Sequence, residues 1–171
     1  TGVDAWFEKN LLDYSDYLED TVFCNDRSQI NADTNGWNPN GGSISTYMYF
    51  KEYNVTSDLS CTNETDRFST LNDKAKLKYK VGLMSSPEMN ILYNSNIRKT
   101  GQYYWLASPD YFDINYAIEW SVYSNGIMNG YDVRNTSGVR PAVSLAPGTE
   151  YSDGDGSMEN PYIVDLNSIN N

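Results

Sequence analysis

The chain has no histidine, the side chain most used for proton relay and for holding zinc near neutral pH. That absence argues against a hydrolytic or zinc enzyme. Basic residues are scarce as well: 12 Lys and Arg stand against 23 Asp and Glu, and the net charge of −11 repels polyanions. Neither nucleic acid nor a membrane surface is expected as a partner of this domain. No apolar run approaches the length that crosses a bilayer. The first residues, TGVDAWFEKNLL, open within a motif, so an export signal or anchor is expected upstream. Cysteine is limited to Cys24 in VFCNDRS and Cys61 in LSCTNET, without the CxxC spacing of a metal or redox site. An even count at wide separation suits one disulfide. The acidic, Tyr- and Asn-rich composition points to an extracellular Cys24–Cys61 bridge, the alternative being two reduced thiols.

What is present is 171 residues, enough to bury a core as one domain over 1–171, with 15 tyrosines on an otherwise polar chain. TGVDAWFEKNLLDYSDYLED places Val3, Trp6, Phe7, Asn10, Leu11, Tyr14 and Leu18 at helical spacing behind a capping box of Thr1 and Asp4, which predicts a first amphipathic helix. Residues 27–42 are dense in Asn, Gly and Asp and read as an irregular loop held at Trp37. STYMYFKEY and LKYKVGLMS read as strands. SSPEMNILY then carries a capping box of Ser85 and Glu88 with Pro87 in the first turn, and Met89, Leu92 and Tyr93 share a face of this second, short helix. QYYWLASP reads as an aromatic strand stopped by Pro109, followed by the loop DYFDIN. In the next strand Ile118, Trp120 and Val122 alternate with Ala117, Glu119, Ser121 and Tyr123, one side for the core and one for solvent. Asn125-Gly126 marks a hairpin with both central residues at positive φ. A turn-rich stretch over 148–161 leads to a last strand, YIVDL. Two helices followed by antiparallel strands make an α+β domain.

LEDTVFCNDRS, GWNPNGG, VGLMSSPEM, TGQYYWLASP, GVRPAVSL and GDGSMENPYIV resemble, in this order, surface proteins of gut bacteria, many of them type IV pilin-like. The resemblance spans nearly the whole chain. From YYWLASP to GVRPAVSL it is similar to the C-type lectin fold, as used in formylglycine-generating-enzyme-like domains and in the variable proteins of diversity-generating retroelements. That resemblance implies two helices around a mainly antiparallel sheet, terminal strands paired, and a ligand face on the late strands. It does not bring the enzymes' activity, because they oxidise cysteine with a C-terminal cysteine pair and no cysteine follows Cys61 here. The EPN-, QPD- and WND-like tripeptides with which sugar-binding relatives hold Ca²⁺ are also absent.

Several constellations have plain structural readings. Asp153, Asp155 and Glu159 could attract Ca²⁺, but they lack EF-hand spacing and read as the turn before the closing strand. Asp110 and Asp113 read as a solvated loop. Asn54, Asn63 and Asn135 head sequon-like triplets that mark exposed loops. Trp105, Trp120, Arg140 and Pro141 read as scaffold, with Arg140 bracing carbonyls or a carboxylate. The polar side of 111–135 differs: Tyr supplies rigid contact area and Ser and Asn adaptable hydrogen bonds, the chemistry of an antibody paratope. The retroelement resemblance implies adenine-directed variation of Asn codons, which reaches Tyr111, Asp113, Asn115, Tyr116, Ser121, Tyr123, Asn129, Tyr131, Asp132, Arg134 and Asn135. It does not reach Glu119, Trp120 or Met128, which would be fixed scaffold. The expectation is a non-enzymatic, surface-displayed binding domain of adhesin or pilin-tip type, without cofactor or metal. Its ligand would be a protein or glycan on another cell, a phage or a host surface. The alternative is a structural pilin-like subunit that packs against pilus neighbours through the same face.

Overall fold

A computed structural model describes residues 2–27, 44–45, 59–93, 96–112, 116–157 and 159–168. The proposed loop at Trp37, Thr1, Asn54, Asp113, Asn115 and all but the first residue of STYMYFKEY lie outside the described residues. Helix α1 spans Gly2–Asn10, with Asp4 in its first turn and Lys9 in its last, each placed to complement the helix dipole. It is shorter than the periodicity predicts. At Leu11 the chain leaves the α-helix and continues as a 3-10 helix over Leu12–Tyr17. Asp13, Ser15 and Asp16 disfavour a helix interior, and Leu18 turns extended to pair with Leu145. Of the expected face, Phe7 and Leu18 are buried with Val81, and Val3 and Leu11 pack against them, whereas Trp6 and Tyr14 are exposed.

Strand β1, Leu18–Glu19, pairs antiparallel with β9, Ser144–Leu145, so an early strand is joined to a late one. Strand β2, Phe23–Cys24, pairs with β4, Arg67–Phe68. Cys24 and Cys61 form the expected disulfide, with Cα atoms 5.9 Å apart. Beside it the Arg27 Nε donates to buried Asp66 at 2.8 Å, tying the same two segments together.

LKYKVGLMS is not a strand. Its side chains bond outward in place of a ladder: Tyr79 stacks on Phe7 at 4.9 Å, and the Lys80 ammonium donates to the Leu18 carbonyl at 2.7 Å. Only Gly82 makes a bridge, to Ala142. Gly82 is needed there, since a Cβ would lie 2.5 Å from the Phe23 ring. Helix α2, Ser86–Ile91, forms as expected, with the Ser85 and Glu88 capping box in place. Met89 is buried and Leu92 packs on the core, but Tyr93 is exposed.

Among the described residues the main sheet has five strands. β5, Tyr104–Phe112, lies between β6, Ala117–Val122, and the short β3, Ile44–Ser45; β7, Met128–Asp132, pairs on the far side of β6. Strand β8, Gly138–Val139, adds a parallel pairing to Tyr104 and Trp105. The other pairings of the sheet are antiparallel, which gives a mixed α and β architecture dominated by sheet. A final hairpin joins β10, Glu150–Asp153, to β11, Ile163–Asp165.

Pro109 does not stop β5. It sits at a register irregularity opposite Glu119, where a residue without an amide donor is tolerated, and the strand runs on to Phe112. Alternate residues Tyr104, Leu106, Ser108 and Asp110 are all buried, so Asp110 is not in a solvated loop. Tyr104 and Leu106 join Met89, Trp120 and Val122 in the core, while Ser108 accepts the Ser86 amide at 2.8 Å. Asp110 is admitted by Gly130: a Cβ there would come within 2.2 Å of the Asp110 Oδ2 and 2.6 Å of the Ile118 Cγ2. Gly130→Ala is expected to lower stability by about 1–3 kcal/mol through overpacking, read from the denaturant midpoint. A midpoint equal to wild type would show that Asp110 is free to move aside.

Candidate outer-face binding site

The hairpin between β6 and β7 sets the register of the candidate face. The Gly126 amide donates to the Tyr123 carbonyl and the Tyr123 amide to the Ile127 carbonyl, both at 2.8 Å. These are the bonds of a three-residue loop, Ser124 to Gly126, in which only the last residue need be left-handed; Gly126 has φ +86°. The two-residue turn expected at Asn125-Gly126 is thus a three-residue loop. Across the sheet Trp105, Ser121 and Asn129 are in register, as are Glu119 and Tyr131. Trp120 and Val122, with Gly130 and Met128 opposite them, belong to the core side.

On the outer side four rings cluster. Tyr103 lies 4.6 Å from Tyr123 and 5.7 Å from Tyr131, and Trp105 lies 5.6 Å from Tyr131. Tyr123 and Tyr131 meet edge-on at 6.0 Å. These offset and edge geometries hold the rings in place without a ligand. The Tyr123 hydroxyl also reaches the Gly130 carbonyl at 3.4 Å. Tyr103 is 40% exposed, Tyr123, Tyr131 and Trp105 are half-buried, and Asn129 is exposed beside them.

Seven of the expected site residues fall into two groups, and Tyr111 and Ser121 belong to neither. Tyr123, Asn129 and Tyr131 share the ring cluster's side. Asp132 is opposite Ile118, so by strand parity it belongs to the other side, at the sheet's end. There Arg134 grips both Asp132 oxygens through Nε, at 3.0 Å each, and its guanidinium lies 4.9 Å over the Tyr116 ring. Those hydrogen bonds from Arg134 hold the Asp132 carboxyl below the ordinary carboxylate range. Asn135 is exposed on the same turn, and its amide donates to the Asp132 carbonyl at 2.9 Å. Tyr111 is half-buried near the far end of β5. Ser121 is fully buried and its hydroxyl donates to the Asn129 carbonyl at 3.1 Å, so it cannot be presented to a ligand. Tyr103 is not among the expected site residues, and Trp105, expected as scaffold, is instead half-buried in the ring cluster; the alternation that places Ile118 and Trp120 also places both when applied to YYWL.

Two carboxyl groups lie within the sheet, Asp110 buried on β5 and Glu119 half-buried opposite Tyr131. Burial pushes Asp110 up to about 7; burial, with a lesser contribution from the Asp110 charge, pushes Glu119 up to about 7. A carboxyl raised on folding contributes stability that is complete below its unfolded value near 4 and is lost as pH rises through about 7. The melting temperature should therefore fall between pH 5 and pH 8. Glu119→Gln should flatten that dependence and melt higher than wild type at pH 8. A steeper dependence in Glu119→Gln would contradict the assignment.

Elsewhere the acidic turn is self-contained. The Asp155 carboxylate accepts the Ser157 amide at 2.9 Å, which lowers its pKa, and Asp153 accepts the Gly154 amide at 2.7 Å. Both are used as turn caps, and Glu159 is exposed. Among the described residues no group of three His, Cys, Asp or Glu side chains is placed to hold a metal ion. Asn63 and Asn135 are both exposed.

An α and β domain whose curled, mainly antiparallel sheet offers an outer aromatic face is thus in place. The chain belongs to the family described as a domain of unknown function, DUF6273, which matches residues 19–147 and so includes the main sheet and the ring cluster, while Phe7 and Leu18 of the second core cluster lie before it. No curated protein and no solved structure matches it.

Proposed function

We propose that this is a non-enzymatic, surface-displayed ligand-binding domain of C-type lectin type that presents the outer face of β5 to β7 to a protein or glycan on another cell, a phage or a host surface. The supporting observation is the cluster of Tyr103, Trp105, Tyr123 and Tyr131, rings ordered by one another yet accessible, beside exposed Asn129. Pre-ordered aromatic area loses little torsional freedom on binding. The disulfide fits an oxidising, extracellular setting.

The resemblance to retroelement variable proteins supplies a reason for the tyrosines. Of the positions adenine mutagenesis cannot reach, Trp120 is buried and Glu119 and Met128 are half-buried; of the reachable ones, Tyr116, Asn129, Arg134 and Asn135 are exposed and Tyr111, Tyr123, Tyr131 and Asp132 half-buried. Ser121, reachable but buried, fits that pattern poorly. Sequencing the locus tests it: a near-copy of the codons for 105–140, differing only at adenines and accompanied by a reverse transcriptase gene, is expected. Codons with no such copy would remove the retroelement from the account and leave a binding domain of fixed sequence. The pilin-like alternative makes a different prediction, self-association in sedimentation that disappears when Tyr103, Tyr123 and Tyr131 are replaced by Ala.

A further inference from the structure

A cavity lies on the core side of β5, lined by buried Tyr104 and Leu106 and bordered by Trp105 of the ring cluster. We propose that it binds a small organic acid, with the carboxylate on Arg140 and the apolar body against Met84, Leu92 and Val143. The cleft has a volume of about 300 Å³ and is floored by Met89 and Leu106. Mostly apolar walls with one oriented polar group are the usual make-up of a small-molecule site.

Arg140 is the one charged side chain among the described residues that line it. Its Nη1 donates to the Ile97 carbonyl at 2.6 Å and lies 3.4 Å from the Tyr104 hydroxyl, and its guanidinium sits 5.5 Å over the Tyr104 ring. Those contacts fix the fork in position. Nε and Nη2 have no acceptor among the described residues, and no carboxylate there pairs with Arg140, although acidic residues outnumber basic ones by almost two to one.

A second arginine follows the wall residue Ile97 in the chain without itself lining the cleft. Arg98 is 3% exposed, its guanidinium lies 5.6 Å over the Tyr93 ring, and its buried Nε and Nη1 have no hydrogen-bond acceptor among the described residues. Its carbonyl accepts the Tyr104 hydroxyl at 3.2 Å, so Tyr104 links the two arginines. An arginine in the cleft wall without a carboxylate partner among the described residues, in so acidic a chain, favours an anion, and a carboxylate matches the planar fork of a guanidinium through two parallel hydrogen bonds. The apolar walls select an organic acid over an inorganic ion.

Calorimetric titration of the whole chain with 4-phenylbutyrate and with 4-phenylbutyramide tests this. The acid is expected to bind saturably and about tenfold or more tightly than the amide, as a charged hydrogen-bonded pair requires. Arg140→Gln should bring the acid down to the level of the amide. Ile97→Trp, at a half-exposed position on the cleft's edge, should block both. No saturable binding, equal binding of acid and amide, or a preference for acid that survives in folded Arg140→Gln would overturn the proposal. Should Arg140→Gln fail to fold, the acid and amide comparison on the wild type and on Ile97→Trp decides by itself.

Discussion

Trp120→Ala lowers the folding free energy by about 3–5 kcal/mol, because the indole is 3% exposed in a core shared with Met89, Tyr104, Leu106 and Val122 and its loss leaves a cavity. Tyr123→Ala, three residues along on the opposite side, removes a half-buried ring whose partners are Tyr103 and Tyr131, and costs about 1–2 kcal/mol. The two effects must divide by parity along one strand. Thermal melts taken side by side check this without any ligand. A silent Trp120→Ala with an unfolded Tyr123→Ala would mean that the two sides of the sheet are exchanged.

The second large effect comes from the disulfide. Replacing Cys24 and Cys61 by Ser releases a loop closed across a separation of 37 residues, and chain entropy sets the loss at about 3–4 kcal/mol. The denaturant midpoint of the double variant should fall accordingly. β2 and β4 should loosen first, since each has only two paired residues beside the bridge. Hydrogen exchange at Asn25, whose amide donates to the Asp66 carbonyl at 3.0 Å, would report it. An unchanged midpoint would mean that the Arg27–Asp66 pair and the short ladder hold the two segments without the covalent link.

What could be read from the chain depended on how local the controlling interaction was. The capping box at Ser85 and Glu88, the hairpin at Gly126 and the alternation of Trp120 and Val122 are set by neighbours in sequence, and each is where it was expected. The first helix was overextended because Leu18 satisfies helical spacing, yet its backbone is claimed by Leu145, distant in sequence. LKYKVGLMS has strand composition but spends its side chains on Phe7, Ser15 and Leu18. Pro109 and Asp110 depart from expectation together. A proline and an aspartate suggest a turn, and only the space left by Gly130 on β7 lets Asp110 be buried. The candidate face was half legible. Parity within β6 was correct, but β7's parity depends on the cross-strand register, which puts Asp132 opposite Ile118 and buries Ser121 under the rings' side of the sheet.

The central claim is that the outer rings bind and the inner ones fold the domain. The measurement that bears on it most directly is binding of the labelled domain to a glycan array and to intact bacterial cells. Wild type would be compared with a Tyr103→Ala, Tyr123→Ala, Tyr131→Ala triple variant and with Tyr151→Ala, an exposed ring on the terminal hairpin. The account predicts at least one bound surface, a loss of about 30-fold or more in the triple variant while its circular dichroism stays native, and no loss in Tyr151→Ala. Binding that survives removal of the three rings, or no bound surface for the wild type, would contradict it.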